Sequence, residues 1–378
     1  MRLAFSLFVR YNIIWICAPD AQFALKGTLM KIFRSVLALA LSAALLLLAV
    51  GCGYSPVKST EEEREPVLVL DGAYEVPYEL YRFYFLSELS LSGEDPAALD
   101  GAAREALFAD LNAKAVEELA AVYAVFSFCK KYGIDYESRE FDGYVKDGVI
   151  SAVEGDDTYL GYGDHETYLA EIKKAYMNDS VFRFLLRYRY AESALAAQMR
   201  DGGHLSAEEA TVLEYMRGEE CRRASWIYIP YTMLPNYTDA SLAEKEAAAK
   251  AASDEEFLAL THTVVPDTYT DEQLDTGFYI GRYQLDPYYA ALTETVFSLE
   301  VGETSGWIDS GDGVYLVRRL PKEEGYLSDA KNLADFTEYY LLNTFYGLLA
   351  AESARIALTV SYTEAHAALS FDRIRMPE

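Results

Sequence analysis

Residues 225–229 have the sequence SWIYI, and this short stretch decides the fold class. Its aromatic and β-branched side chains favour a β-strand, whereas the segments before it have the apolar spacing of helices. Five further elements follow it, and a turn at Asp309–Gly313 joins the last two strands. The predicted order is strand, helix, strand, helix, strand, strand, at 225–229, 242–261, 276–280, 288–298, 307–308 and 314–317.

Helical patterns surround this β-α-β-α-β-β unit on both sides. Between residues 96 and 131, apolar residues recur at intervals of three and four, as on one face of a helix. A long helix at 329–356 is too apolar on one face to stand alone, so we expect it to pack against the N-terminal helices. The sequence therefore predicts an α+β protein. A mostly helical domain at 67–219, completed by 325–378, carries an inserted domain at 220–323.

The N-terminal region has the features of an export signal. Residues 35–50 form an apolar run without a charge, and Lys31 and Arg34 precede it. The run is shorter than the roughly 20 residues that a membrane-spanning helix needs. Residues 30–51 are therefore predicted to be a signal peptide, and residues 1–29 to be an upstream mis-start or an extension.

A cysteine follows the apolar run directly. The sequence AVGC at 49–52 resembles the lipobox of bacterial lipoproteins, which implies that Cys52 is acylated and becomes the mature N-terminus. Two acyl chains anchor a protein stably where one does not. We expect an anchored protein at the outer face of the cytoplasmic membrane, with residues 52–66 as a flexible, solvated tether. The alternative is a plain secretory signal, or a single membrane anchor, with an incidental cysteine.

The chain is strongly acidic, with a formal net charge of −27 over 378 residues. Such a body repels phosphate backbones and anionic lipid headgroups, so no nucleic-acid partner is expected.

Cys129 and Cys221 lie in separate stretches that have helix-like patterns. This separation favours two buried free thiols, while an oxidising compartment keeps a disulfide open as the alternative.

The sequence lacks the motifs of metal-dependent or covalent catalysis. The four histidines, His165, His204, His262 and His366, are scattered, and no HExxH or zinc-type cysteine spacing occurs. No GxSxG elbow or glycine-rich phosphate loop is present. Residues 309–313 (DSGDG) have calcium-loop acids without the length and the glutamate of an EF-hand, so a hairpin turn is favoured. We expect no metal and no cofactor.

Several stretches resemble those of a known family. Residues 68–72 and 76–80 (LVLDG and VPYEL) are similar to the opening strand and helix of PrsA/SurA-type extracytoplasmic foldases. Residues 223–228 (RASWIY) resemble the first strand of a parvulin-type peptidyl-prolyl isomerase domain. Residues 292–305 resemble the parvulin helix with its Gly-Glu-x-Ser turn, and residues 313–317 resemble its last strand. The resemblance implies a helical chaperone domain that carries a parvulin-like domain.

The same resemblance implies a proline pocket, but with altered residues. Parvulins place two histidines beneath that pocket, and the matching positions here are Trp226 and Tyr315. We hypothesise that the two rings form a cross-strand pair that fills the space of the histidines. Tyr288, Leu292 and Phe297 are further candidates for the pocket wall. The alternative is that both rings are ordinary core aromatics in a scaffold domain.

Asp267 is the candidate catalytic residue, because it stands where the family has Cys or Asp. Prolyl isomerisation breaks no covalent bond; the enzyme must bind the twisted amide better than either planar form. A nearby anion can favour the charge distribution of the twisted state. The alternative is a loop acid without a function in an acidic protein.

The resemblance implies a membrane-anchored chaperone that assists the folding of secreted proteins, with weak or lost isomerase activity. Its partners would be unfolded or secreted polypeptide clients. An active peptidyl-prolyl cis-trans isomerase is the second hypothesis. A non-catalytic assembly or solute-binding lipoprotein is the third.

Overall fold

A computed structural model describes residues 54–156, 160–262, 269–283 and 289–376. The predicted signal peptide and Cys52 lie outside these ranges. The chain divides into two compact units. Of the described residues, unit 1 contains those up to Gln198 and from Ala351 onward, and unit 2 contains those within Met199–Ala350.

The described ranges contain helices in both units and two antiparallel sheets, which confirms the predicted α+β class. None of the described helices is both long and apolar enough to cross a bilayer. The elements in chain order are α1 (Glu61–Arg64), β1 (Pro66–Leu70), β2 (Tyr74–Pro77), α2 (Tyr78–Ser92), α3 (Gly101–Lys131), α4 (Arg139–Glu154), α5 (His165–Lys174), α6 (Asp179–Asp201), α7 (Glu209–Arg217), β3 (Cys221–Pro230), α8 (Asp239–Ala251), α9 (Asp254–Thr261), α10 (Asp271–Thr276), β4 (Phe278–Gly281), α11 (Ala290–Ser298), β5 (Thr304–Ser310), β6 (Gly313–Leu320), α12 (Glu324–Leu327), α13 (Ala330–Ala357), β7 (Ser361–Tyr362) and α14 (Glu364–Ala367).

Unit 1 is mainly helical, with a three-stranded sheet in the order β2-β1-β7. Only the end of α13, from Ala351 onward, belongs to this unit. Glu352 accepts a hydrogen bond from the Ser127 hydroxyl of α3 at 2.6 Å. Arg355 donates to both carboxylate oxygens of Asp71 at 2.8 Å. The earlier part of α13 belongs to unit 2, where Phe336 packs against Met216 and Tyr279.

Residues 54–65, which the sequence predicts to be part of a flexible, solvated tether, are mostly exposed but form hydrogen bonds with unit 1. The Val57 N–H donates to the Asp179 carboxylate at 2.9 Å, and the Ser59 hydroxyl donates to Glu79 at 2.5 Å. Thr60 caps α1. These partners lie 122 and 20 residues away along the chain, so a local composition of Pro, Ser and Glu could not reveal them.

Unit 2 is built on a four-stranded antiparallel sheet in the order β4-β3-β6-β5. The predicted strand and helix order is confirmed, with α8, α9 and α10 between the first two strands and α11 between the second and third. The predicted central strands pair directly, because Ile227 lies opposite Leu316 and Tyr228 opposite Tyr315. The turn at Asp309–Gly313 joins β5 to β6, as expected.

The alternation of side chains along β3 and β6 gives this sheet two different faces. On one face, Ile227, Ile229 and Leu316 pack against Ala249 of α8 and Phe257 of α9. We call this the aliphatic face. The opposite face, which we call the aromatic face, carries Trp226, Tyr228, Tyr315 and Val317 and is covered by Leu292 and Val296 of α11.

Cys129 and Cys221 are free and buried, which confirms the favoured prediction of two thiols. Burial raises the pKa of each thiol to about 12. Cys221 lies at the start of β3, and not in a helix as its sequence context suggested.

Candidate functional site

The aromatic face owes its composition to the register between β3 and β6. Tyr228 lies directly opposite Tyr315, and Trp226 lies opposite Val317. Residues two apart on a strand point to the same side, so Trp226 and Tyr315 are diagonal neighbours on one face. Their ring centroids lie 6.4 Å apart at an interplanar angle of 75°. The expected contact between the two rings is therefore present, but diagonally.

Other rings hold these two in place. Trp226 stacks on Phe278 of β4, with centroids 4.2 Å apart and an angle of 7°, and its Nε1–H donates to the Tyr269 hydroxyl at 3.1 Å. Tyr228 stacks on Tyr315 at 4.9 Å and 25°. Offset and edge-to-face aromatic pairs stabilise by about 0.5–1.5 kcal/mol each beyond their burial. The aromatic face is thus a rigid, preformed surface.

Tyr315 has a polar end as well as a ring. Its side chain is 2% exposed, and its hydroxyl donates to Asp312 Oδ1 at 2.8 Å. Burial, and then the nearby charge of Asp312, raise the pKa of Tyr315 above its usual range. The hydroxyl therefore stays protonated and continues to donate to Asp312 at any physiological pH.

A cavity of about 370 Å³ opens on the aromatic face. Its described wall is mainly aromatic, and among the described lining residues Asp312 alone carries a formal charge. The lining residues are Trp226, Tyr228, Tyr269, Gln273, Thr276, Gly277, Phe278, Tyr279, Ile280, Tyr289, Leu292, Asp312, Tyr315, Tyr326, Phe336 and Tyr339. We call this the aromatic cavity.

The sequence candidates fall in different places relative to the aromatic cavity. Trp226, Leu292 and Tyr315 line it. Phe297 does not; the guanidinium groups of Arg222 and Arg282 instead lie 5.6 and 4.4 Å from its ring centroid. Asp267, Tyr288 and Cys52 lie outside the described residues. The functional roles assigned to all these residues stay predictions.

Sequence reasoning missed several residues of the wall. Tyr228 could have been found, because it lies two residues after Trp226 on a strand and so shares its face. Tyr269 and Tyr289 could not, since no repeating sequence pattern places them. Asp312 was read only as part of a turn, and its bond to Tyr315 depends on the way in which β5 and β6 pair.

The chemistry of the described wall of the aromatic cavity is suited to binding. Its aromatic walls favour an apolar side chain, and its tyrosine hydroxyls and Gln273 can hydrogen-bond a peptide group. No histidine, lysine or cysteine occurs in the described part of the wall. The described residues also contain no cluster of His, Cys, Asp or Glu that could hold a metal ion.

Comparisons with known proteins give matches among solved structures alone. No protein-family model matches the chain, and no curated protein does. Among solved structures, the chain matches PrsA from Bacillus subtilis with 14% identity over 68% of this chain and 87% of that one, at a TM-score of 0.24. The foldase PrsA from Streptococcus pneumoniae matches with 16% identity over 67% and 88%, at a TM-score of 0.31. A SurA-like chaperone of Campylobacter jejuni matches with 11% identity over 82% and 99%, at a TM-score of 0.22.

Proposed function

We propose that this chain is an extracytoplasmic chaperone that binds unfolded segments of secreted proteins and has weak or lost prolyl isomerase activity. The aromatic cavity carries the proposal. It offers an apolar pocket with a few hydrogen-bonding groups, and the described part of its wall contains no histidine. The resemblance of residues 222–320 to a parvulin domain supports the same class of client.

The walls of the cavity suit one ring-shaped side chain of a client. Burying apolar surface stabilises a complex by about 25 cal/mol per Å², and rigid aromatic walls lose little conformational entropy on binding. Tyr269 and Tyr289 are partly exposed, so a chain can reach the cavity from solvent. A proline or aromatic side chain in an unfolded segment is the ligand that fits this chemistry.

Weak isomerase activity follows from what replaces the two histidines. Trp226 cannot accept or release a proton at its ring nitrogen, and that nitrogen already donates to Tyr269. The Tyr315 hydroxyl is committed to Asp312. Neither group is free to favour the twisted amide over the planar one, which is what acceleration requires. The cavity can hold a proline without lowering its rotational barrier.

Suppression of client aggregation tests this proposal. We expect Tyr289→Asp, which places a charge in the cavity wall, to weaken suppression severalfold while the thermal unfolding midpoint changes little. Tyr283→Asp is the matched control, because Tyr283 is an exposed tyrosine of unit 2 outside the cavity wall. Equal suppression by both variants would refute a role for the cavity in client binding.

An active isomerase is the second candidate, because Asp267 precedes the cavity residue Tyr269 by only two positions. Proline-limited refolding at substoichiometric protein separates the two. Catalysis would be established if the chain strongly accelerates refolding, if Asp267→Ala abolishes this acceleration, and if the control variant Asp271→Ala retains it. If the unmodified chain accelerates refolding less than about twofold, the chaperone with weak or lost isomerase activity remains the better candidate.

We also propose that Cys52 carries the membrane anchor of this chaperone. The support is the lipobox-like sequence before it, together with the apolar run at 35–50. Mass spectrometry of the N-terminal peptide from membrane-extracted protein should show a diacylated cysteine. Cys52→Ser should release the chain from the membrane; an unmodified cysteine or a retained signal peptide would refute acylation.

A further inference from the structure

The segment that follows the proposed anchor is fixed to unit 1 from Tyr54 onward. The Tyr54 ring stacks on His165 with centroids 4.8 Å apart, and its carbonyl accepts from Arg183 at 2.9 Å. Asp179 accepts from the Val57 N–H at 2.9 Å. Cys52 precedes Tyr54 by two residues, and an extended chain keeps their Cα atoms within about 7 Å of each other. Whatever holds Cys52 therefore lies close to this part of unit 1.

A cleft of about 550 Å³ opens beside this segment, within unit 1. Four cationic side chains line it, and no carboxylate does among the described lining residues, although the chain carries a net charge of −27. We call it the cationic cleft. Its lining residues are Pro56, Val57, Lys58, Ser59, Arg64, Ser180, Arg183, Phe184 and Arg187.

Two of the four cations are held in place. Arg183 donates through Nε to Asp179 at 2.7 Å and through Nη2 to the Tyr54 carbonyl. Arg187 donates to the Tyr136 carbonyl and to Asp142, both at 2.6 Å. The described bonds do not use Nη1 of Arg183 or Nε of Arg187. These N–H groups are therefore preorganised donors, as arginine sites for oxyanions require.

The other two cations are exposed. Within the described part of the chain, Lys58 and Arg64 form no ion pair with a carboxylate; the Arg64 Nε donates to the Thr60 carbonyl instead. Asp179 and Glu79, which bond to lining residues of the cleft, are already engaged, whereas Glu61, Glu62 and Glu65 lie beside Arg64 in a neighbouring depression. Asp179 accepts from Val57, Tyr168 and Arg183, and Glu79 accepts from Ser59, Asn178 and Ser180.

We propose that the cationic cleft binds a phosphate group, and specifically the headgroup phosphate of an anionic lipid at the surface where Cys52 is anchored. The cleft opens beside residues 56–59, only a few residues after the anchor. The overall negative charge does not prevent this, because salt screens charges beyond about 8–10 Å. The lipid source rests on the proposed anchoring, whereas the phosphate chemistry rests on the cleft alone.

Direct titration of the detergent-solubilised full chain tests the proposal without requiring acylation. The probes are dihexanoyl-phosphatidylglycerol, dihexanoyl-phosphatidylcholine and inorganic phosphate, with binding measured by calorimetry. We expect the anionic lipid to bind most tightly. Because Lys58 and Arg64 are the two exposed cations that line the cleft, Lys58→Glu with Arg64→Glu should weaken binding at least about tenfold.

Lys146→Glu with Lys173→Glu is the matched control, because both lysines are exposed residues of unit 1 outside the cleft. It changes the net charge equally and should alter affinity less than about twofold. Equal losses in both double variants would overturn the site, since only net charge would then matter. Equal affinity for inorganic phosphate and the anionic lipid would overturn the lipid source, and no binding of either would overturn the proposal. Each of these outcomes leaves the aggregation and refolding assays of the chaperone unaffected.

Discussion

The two faces of the unit 2 sheet differ in chemistry although the same two strands form both. On the aliphatic face, Ile229 and Leu316 are fully buried beneath Phe257. On the aromatic face, Tyr228 and Tyr315 are also buried, yet a cavity of about 370 Å³ remains beside them. The buried cluster of the aliphatic face consists of apolar side chains alone, whereas the aromatic face carries rings whose hydroxyl groups accompany the cavity. One face stabilises the unit, and the other supplies the candidate site.

The largest expected effect tests the aliphatic face. Phe257→Ala removes a ring that is 0% exposed, and we expect it to lower the free energy of unfolding by about 3–5 kcal/mol, because the surrounding residues cannot close the gap. Tyr289→Ala, on the partly exposed wall of the aromatic cavity, should lower the free energy of unfolding by less than about half as much. Chemical denaturation of the two variants gives both values. Equal losses would show that the two faces contribute alike.

The second effect tests how closely the central strands approach. A Cβ atom at Gly313 would lie 2.4 Å from the Ile229 carbonyl oxygen and 2.6 Å from the Tyr228 ring. Gly313→Ala must therefore move β6 away from β3, at a cost of about 1–3 kcal/mol. The displaced ring belongs to the aromatic face, so client binding should weaken as well. Gly325→Ala is the control, because open space surrounds that glycine.

The third effect isolates a single hydroxyl of the aromatic face. Tyr315→Phe keeps the ring stacked on Tyr228 but removes the hydrogen bond to Asp312. We expect a loss of about 0.5–1.5 kcal/mol in denaturant unfolding. Aggregation suppression should stay within about twofold, because the apolar wall is retained. A variant that folds normally and fails to suppress aggregation would show that the hydroxyl binds clients.

The sequence predicted much of the sheet and less of the site. The aromatic and β-branched composition of 225–229 and 314–317 placed both strands, and the acidic turn at 309–313 placed the hairpin, because these signals are local. The contact of Trp226 with Tyr269 is not local, since it joins a strand to a residue 43 positions away. The hydrogen bond from the Val57 N–H to Asp179 could not be predicted from the sequence for the same reason. Sites that depend on such pairs need coordinates.

The smallest expected effect concerns the Cys221 thiol, which lies at the start of β3 and reports whether that end of the strand is closed to solvent. Burial raises the pKa of this thiol to about 12, above the roughly 8.5 of an unfolded cysteine. The unfolded chain therefore releases the proton first, so the contribution of the thiol to stability is complete below about pH 8.5 and is lost as the pH rises toward 12. Between pH 8 and 9.5, below the ionisation of most tyrosines, Cys221→Ala should show a shallower fall in unfolding free energy than the unmodified chain. Identical slopes would mean that the start of β3 opens to solvent, which would leave the aromatic face less rigid than its packed rings indicate.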